Sequence, residues 1–208
     1  LTATPNENND EKLIYFYIGS ILYNADQVER IRQKQIKVEI NIKDTNLYVP
    51  FNYKIDKYET ISKILIHDTN RNTLILDDIE KNSSRFKTFL ILTERKAHVD
   101  ILNLYLKEKY ETITIHGEDS EAAGKAKLTV KAGSFKIVIS TGQYFGEGID
   151  LNNLECLVIA YPFAFEGKLV QYIGRIQHSG NPPVIFDYRD SKIDYFEKMF
   201  RQRNRYYK

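Results

Sequence analysis

The sequence predicts an α/β protein in which helices sandwich a parallel sheet. Short apolar runs rich in Ile, Val, Leu and Phe recur along the second half of the chain, as in strands buried on both faces. Helix-like segments alternate with these runs, which is typical of parallel sheets covered on both sides. With 208 residues and a hydrophobic fraction of 42%, the chain can bury such a core. Ligands of such sheets bind at the carboxyl ends of the strands.

The second half supplies most of the predicted elements. The strands are predicted over Lys87–Leu92, Thr112–His116, Lys136–Ser140, Glu155–Tyr161 and Pro183–Tyr188. The helices are predicted over Arg95–Lys109, Ser120–Lys131, Gly167–His178 and Ser191–Tyr207. Ser191, followed three residues later by Asp194, is predicted to cap the last helix.

The first part of the chain has a different pattern. Helices are predicted over Ala25–Gln33, Lys57–His67 and Asn72–Asn82, and a strand over Lys37–Ile42. The stretch Leu74–Asp78 resembles a magnesium-binding strand end, but its setting in a long helix-like segment favours a helix.

Composition narrows the class of protein only partly. The net charge of +2 neither requires nor rules out a nucleic-acid partner. Cys156 is the only cysteine, which fits a reducing, cytoplasmic compartment, and its spacing from the four histidines does not suggest a metal site. No apolar run reaches the roughly 20 residues that span a bilayer, so no membrane partner is expected. The chain begins at Leu1, and we expect it to be a piece of a larger protein.

A glycine-rich loop, 140–150, follows the strand predicted over Lys136–Ser140. Thr141 offers a hydroxyl and an amide donor, and small residues let the backbone approach a phosphate. Asp150, at the end of the loop, can accept hydrogen bonds from a ribose hydroxyl. An ordinary strand-to-helix turn is the alternative interpretation.

The helix predicted over Gly167–His178 carries an arginine beside a glycine. Gly174 permits a close backbone approach, and Arg175 offers a guanidinium fork that matches phosphate oxygens. A salt bridge from Arg175 to Glu147 or Asp150 is the alternative, and such a pair would also position the fork.

In this order and spacing, Val138–Asp150 and Leu169–Arg175 resemble the fifth and sixth motifs of superfamily-two helicases, in the second RecA-like domain. The similarity is greatest to the DNA-repair and restriction-translocase branch that includes XPB. Leu1–Pro5 resembles the third motif, which ends the first motor domain, and Phe89–Arg95 resembles the fourth. The resemblance implies that 1–82 holds the end of the first motor domain, a linker, and the first strand and helices of the second. It implies a RecA-like helicase C-terminal domain over 83–208.

The resemblance also implies residue roles. The nucleic-acid side of the sheet would carry Thr93, Glu94, Arg95 and Gly117, and the backbone of the tracking strand would contact Thr141 and Gly142. The nucleotide-binding set would be Glu147, Gly148, Asp150 and His178. Gln171 and Arg175 would be the catalytic residues, pointing into the cleft between the motor domains. ATP and Mg²⁺ would be bound mainly by the first RecA-like domain, which is the second implied partner besides DNA.

One position departs from the family pattern. Family members usually carry a second arginine where this chain has His178. An arginine finger is worth about 10³–10⁵ in rate. Either Arg175 does this work, or hydrolysis is weak, or Lys168 or Arg189 substitutes. Because the chain also has no Gly-x-x-x-x-Gly-Lys-Ser/Thr loop, we do not expect it to turn over ATP alone.

Three hypotheses follow. The first is the C-terminal motor half of an ATP-dependent DNA helicase or translocase, with RNA open as the alternative strand. The second is a catalytically silent nucleic-acid-binding module, suggested by His178. The third is a doubly wound domain for a small nucleotide or metabolite. A basic stripe on the last helix is predicted either to contact phosphate or to be a solvated face, and comprises Lys198, Arg201, Arg205 and Lys208.

Overall fold

Six parallel strands form the sheet of the computed structural model, which describes residues 38–116, 135–142, 154–164 and 184–207. The strands are β1 Glu39–Asp44, β2 Phe89–Thr93, β3 Thr112–Ile115, β4 Ile137–Thr141, β5 Cys156–Ile159 and β6 Val184–Arg189. Their order is β1-β6-β5-β2-β4-β3, and every pairing is parallel. The predicted α/β class with a parallel sheet is therefore confirmed.

Four α-helices accompany the strands in the described ranges: α1 Tyr58–His67, α2 Thr69–Asn82, α3 Lys96–Leu106 and α4 Asp194–Arg203. A 3₁₀ turn, Asn204–Tyr206, follows α4. None of the helices in these ranges is long and apolar enough to cross a bilayer. The helices predicted over 25–33, 120–131 and 167–178 lie outside the described residues.

The predicted elements agree with the structure apart from their ends. The six predicted strands are all present, and the helix alternative for Leu74–Asp78 is confirmed because this stretch lies inside α2. Helix α2 begins earlier than predicted because the Asp68 carboxylate accepts a hydrogen bond from the Arg71 amide at 2.7 Å.

The predicted cap of the last helix is wrong. Helix α4 begins at Asp194, its N-cap residue is Ile193, and no side chain caps it. Ile193 is buried in a cluster that includes Leu47 and Phe196. Apolar packing of Ile193, and not a hydroxyl from Ser191, therefore fixes where the helix begins.

Alternate residues of each strand pack on opposite faces of the sheet, as the pleat requires. Phe89 and Ile91 of β2 pack in one cluster with Ile75 of α2 and Val99 of α3. Leu90 and Leu92 pack in a second cluster, which contains Phe135, Leu154 and Phe163. All five β2 residues are consequently buried.

The strand order creates a crevice beside β2 and β5, which are neighbours in the sheet. After β2 the chain crosses to β3, at one edge of the sheet. After β5 it continues to β6, in the opposite direction along the strand order. This reversal is the topological switch point at which open α/β sheets bind ligands.

Arg71 ties the carboxyl ends of three strands together. Its side chain is fully buried, and its Nη1 donates to the Ala160 carbonyl, just after β5, at 2.7 Å. Its Nε donates to Asp190, just after β6, at 3.0 Å. The hydroxyl of Thr45, just after β1, donates to the same Asp190 oxygen at 2.6 Å.

A second buried ion pair lies between β6 and α4. Arg203 donates from Nε and Nη2 to the two carboxylate oxygens of Asp187 at 2.8 and 2.7 Å, and the Tyr207 hydroxyl donates to Asp187 at 2.7 Å. Arg203 Nη1 also donates to the Phe163 carbonyl at 3.1 Å. The backbone on both sides of 161–162 is thus held by a buried arginine.

His98 of α3 completes a buried polar chain. The side-chain amide nitrogen of Asn72 donates to the Ile66 carbonyl at 2.9 Å. The Asn72 side-chain oxygen therefore accepts from His98 Nε2, at 3.1 Å. His98 Nδ1 then accepts from the Thr93 hydroxyl at 2.8 Å. Burial, aided by the positive charge of Arg71 and by His67, lowers the pKa of His98 to about 3.

We predict that Arg203→Met destabilises the fold by about 3–5 kcal/mol, because it leaves the Asp187 carboxylate buried without its cation. The double variant Arg203→Met with Asp187→Leu should recover part of this loss, since no charge is left buried alone, although the Phe163 carbonyl and the Tyr207 hydroxyl lose their partners. Urea unfolding measures both. Arg85→Met, which breaks an exposed pair with Glu39, is the control and should barely move the midpoint. A double variant as unstable as the single one would contradict this account.

We predict that His98 makes stability depend on pH. Its folded pKa of about 3 lies below the usual value of about 6.5, so only the unfolded chain takes up a proton between these values. Its contribution is fully present above pH 6.5 and declines as pH falls toward 3, by at most about 1.4 kcal/mol per pH unit. Urea midpoints from pH 7 to pH 5 should show this slope in the wild type. The slope should be reduced in His98→Gln, and an unchanged slope there would refute the assignment.

Candidate nucleic-acid interface

The carboxyl edge of β2 and β4 brings together most of the described residues that were predicted to contact nucleic acid. Thr93 and Thr141 are direct register partners at the ends of these neighbouring strands. Glu94 and Arg95 follow β2, and Gly142 follows β4. Residues about 50 positions apart in the sequence therefore form one row because parallel strands end at the same edge.

Thr141 has a buried hydroxyl that finds no hydrogen-bond partner within the described ranges. The residue is 8% exposed and ends β4. His116, which follows β3, has a buried Nδ1 that is likewise unpaired in this part of the chain. Ile115 pairs with Ser140, so His116 lies one step further along, beside Thr141. Unpaired buried polar groups are costly, and here two of them adjoin at the edge where parallel sheets bind ligands.

His116 was missed as a candidate site residue. It directly precedes Gly117, which was predicted to contact nucleic acid, but His116 itself was not predicted. The register of β3 against β4, which no local pattern encodes, is what places His116 beside Thr141.

Thr93 is placed at the edge, but its side chain points into the protein. The residue is 2% exposed, and its hydroxyl is used by His98. The side chain therefore contributes to the position of α3 and leaves only the backbone of Thr93 for an external contact.

Arg95 is held by three residues of α1. Its Nε donates to the Ser62 hydroxyl at 2.9 Å, and its Nη2 lies 3.0 Å from a Glu59 carboxylate oxygen. Its guanidinium lies over the Tyr58 ring, 5.6 Å from the centroid. The Arg95 side chain is still 32% exposed, so a fixed cation faces solvent at this edge.

A cleft of about 400 Å³ lies at the switch point between β2 and β5. Its walls combine a cation and a carboxylate with apolar and aromatic surface, and include Tyr58, Glu94, Arg95, Pro162, Phe163 and Met199. Such a lining can accept a flat apolar group that carries negative charge, because the ring surfaces and the guanidinium lie together.

The remaining predicted site residues lie outside the described residues. These are Gly117, Glu147, Gly148, Asp150, Gln171, Arg175 and His178. The nucleotide-binding and catalytic sets therefore stay predictions.

The proposed substitute for the missing arginine, Arg189, is engaged elsewhere. Its Nε and Nη2 donate to the two Glu197 carboxylate oxygens at 2.7 Å each. On the basic stripe, Lys198, Arg201 and Arg205 are exposed, and Arg201 pairs with Glu197 at 2.8 Å. Lys208 lies outside the described residues.

Comparison with known sequences identifies a family. Residues 56–180, more than half of the chain, match the model of the helicase conserved C-terminal domain. The transcript termination protein A18 of Yaba-like disease virus is 29% identical over 191 residues, which cover 86% of this chain and 38% of that protein. A putative ATP-dependent RNA helicase, L396 of Acanthamoeba polyphaga mimivirus, is 25% identical over 205 residues, which cover 94% of this chain and 38% of that protein.

Comparison with solved structures agrees with the fold. The crystal structure of T4 UvsW superimposes with a TM-score of 0.62 at 19% identity, over 82% of this chain and 39% of that one. This likeness supports the RecA-like α/β architecture with helices around a parallel sheet. The chain spans under two fifths of the length of the curated relatives described above. On the extent of the family match, the chain belongs to the helicase conserved C-terminal domain family.

Proposed function

We propose that this chain is the C-terminal motor half of an ATP-dependent helicase or translocase, and that its carboxyl edge grips the backbone of a nucleic-acid strand. The observation that carries the proposal is the buried Thr141 hydroxyl beside His116, which has no hydrogen-bond partner among the described residues, in a member of the helicase C-terminal domain family. A strand phosphate would accept the hydrogen bond that this hydroxyl lacks. Arg95, fixed by Glu59 and Ser62, would add a positive charge at the same edge.

ATP and Mg²⁺ would be bound mainly by a first RecA-like domain, and the nucleotide would be contacted here by Glu147, Gly148, Asp150 and His178. Closure of the two domains would bring Gln171 and Arg175 to the γ-phosphate, where a guanidinium neutralises charge that develops during transfer. The loop that begins at Thr141 would then change its hold on the strand. Repeated closure would move the protein along the nucleic acid.

We propose DNA as the strand because the sequence motifs resemble those of the DNA-repair and restriction-translocase branch. The mimivirus relative, in contrast, is named as an RNA helicase. Binding of matched single-stranded DNA and RNA of one sequence separates the two possibilities. A clear preference for RNA would overturn the DNA assignment and leave the motor assignment in place.

A catalytically silent binding module is the second candidate function. His178 stands where the family has a second arginine, and Arg189 is committed to Glu197, so neither position obviously supplies a finger. ATP hydrolysis by the complete protein, measured with and without DNA, distinguishes the candidates. A robust DNA-stimulated rate would eliminate the silent module.

We predict that Arg175→Ala, in the complete protein that includes the first motor domain, lowers DNA-stimulated ATP hydrolysis by about 10³-fold or more, because the transferring phosphoryl group loses its cation. The exposed residue Arg85 provides a charge-matched control, and Arg85→Ala should keep the wild-type rate. Steady-state turnover with saturating DNA is the measurement. Turnover of Arg175→Ala close to wild type would rule out this role.

We predict that Thr141→Val weakens single-strand binding by about 10- to 100-fold, since a hydrogen bond to a charged group is worth about 1.5–3 kcal/mol. Its stability should be unchanged or higher, because it removes a buried, unpaired hydroxyl. Thr112→Val is the matched control. Thr112 begins β3, at the edge of the sheet opposite to Thr141, and its hydroxyl donates to Asn103 at 2.7 Å. This control variant should lose stability and keep its affinity. Fluorescence anisotropy and urea unfolding report the two quantities, and equal affinities of the two variants would contradict the proposed contact.

A further inference from the structure

Four aromatic rings form a cluster between the segment that precedes α1 and the start of α4. Tyr195 is at its centre, with ring centroids 6.0 Å from Phe51, 6.4 Å from Tyr53 and 5.7 Å from Tyr58. We call Phe51, Tyr53, Tyr58 and Tyr195 the aromatic surface. The rings meet in edge-on and tilted geometries, which are the favourable ones for aromatic pairs.

The aromatic surface is rigid on its inner side and open on its outer side. The Tyr58 hydroxyl lies 2.9 Å from that of buried Tyr161, which in turn donates to Ser62 at 2.8 Å. Tyr53, in contrast, is 61% exposed, and its neighbour Ile55 is 80% exposed. A large ring that is backed by another ring and bare on its outer side can accept a further flat group at little entropic cost.

Two exposed lysines lie close to the aromatic surface in the sequence. Lys54 and Lys57 lie between Tyr53 and Tyr58 in the sequence and are exposed. Asp56, between the two lysines, accepts from the Asn52 amide at 2.7 Å and keeps its negative charge, so two lysines against one aspartate leave this turn positive. Lysine is depleted in the cores of protein–protein interfaces, whereas phosphate contacts require cations. The composition therefore favours a nucleic acid over a protein as the partner.

Tyr58 joins the aromatic surface to the cleft at the carboxyl edge. It packs on Tyr195 on one side, and it lines the cleft beneath the Arg95 guanidinium on the other. A strand held at the edge by its phosphates could thus continue past Arg95 and the half-buried Tyr58 toward the exposed ring of Tyr53.

We propose that the aromatic surface is a stacking platform for unpaired bases of a single strand that leaves the carboxyl edge, with Tyr53 as the outermost ring and Lys54 and Lys57 on the adjacent phosphates. This inference rests on the proposed function and extends it from the backbone to the bases. Stacking of this kind tolerates any sequence, because every base has a π-face.

The test uses the 208-residue chain and a fluorescein-labelled single-stranded oligothymidylate, followed by anisotropy across a range of salt concentrations. Tyr53→Ala should bind about tenfold more weakly than the wild type with the same salt slope, because it removes a stacking contact and no charge. Tyr53→Phe keeps the ring and should bind as the wild type does. Tyr105→Ala is the matched control, since Tyr105 of α3 is 55% exposed and lies outside the aromatic surface.

The lysines give an independent signature. The double variant Lys54→Gln with Lys57→Gln should reduce the steepness of the slope of log affinity against log salt by about 1.4, since each single-strand phosphate contact contributes about 0.7 to that slope. Lys107→Gln, an exposed lysine just beyond α3, should leave the slope unchanged. Because the substituted positions are exposed, urea midpoints should stay at the wild-type value and exclude misfolding as the cause.

The outcomes separate this inference from the proposed function. If Tyr53→Ala matches the wild type while Thr141→Val binds weakly, the backbone grip stands and the stacking platform is refuted. The aromatic surface would then be a face for a protein. If the wild type shows no salt-dependent affinity for single strands, the proposed function fails and the platform fails with it.

Discussion

The buried contact between Arg71 and Asp190 is the constraint on which the carboxyl edge depends. A single guanidinium from α2 bonds to the backbone after β5 and to the carboxylate after β6, and Thr45 brings the end of β1 to that carboxylate. Three strand ends are therefore fixed to one another by side chains as well as by the sheet. The cleft beside β2 and β5 can keep its shape because the strand ends around it are fixed.

Two fully buried arginine–aspartate pairs are an expensive way to hold a fold, because each charge loses its water. Their value here is geometric. Arg71 and Arg203 donate to the carbonyls of Ala160 and Phe163, which an apolar side chain could not do. The carbonyls after β5 thus have their partners in the interior, while the Thr141 hydroxyl at the end of β4, two strands away, has none in the described ranges. Within the described ranges four buried polar atoms have no hydrogen-bond partner: two belong to the Arg71–Asp190 contact itself, and two belong to Thr141 and His116, at neighbouring positions of β4 and β3. We take the Thr141 and His116 pair as the place where a ligand would bind.

The sheet could be predicted from the sequence because β2 and β4 to β6 are runs of apolar residues with helical segments between them. Ends of elements depended on tertiary contacts, as at Ile193, whose burial overrides the nearby Ser191. Thr141 and Gly142 could be proposed as site residues from the sequence, because a glycine-rich turn after a strand is a local pattern and resembles a family motif. Arg71 and Tyr58 were not found, because their partners are far away in the sequence: Asp190 is 119 positions from Arg71, and Tyr161 is 103 from Tyr58. Composition and spacing cannot report such pairs.

Asp68 is the only residue between α1 and α2, and it serves both helices. Its amide bonds to the Leu65 carbonyl at the end of α1, and its carboxylate accepts from the Arg71 amide in the first turn of α2. Helix α1 holds Arg95 through Glu59 and Ser62, whereas α2 holds the strand ends through Arg71. Asp68 therefore joins the helix that positions Arg95 directly to the helix that fixes the strand ends. If a nucleic-acid strand binds near Arg95, as proposed, a pulling force on that strand would pass from Arg95 through α1 and Asp68 to α2. From there it would reach the sheet through Arg71, so the force would act on the strand ends directly.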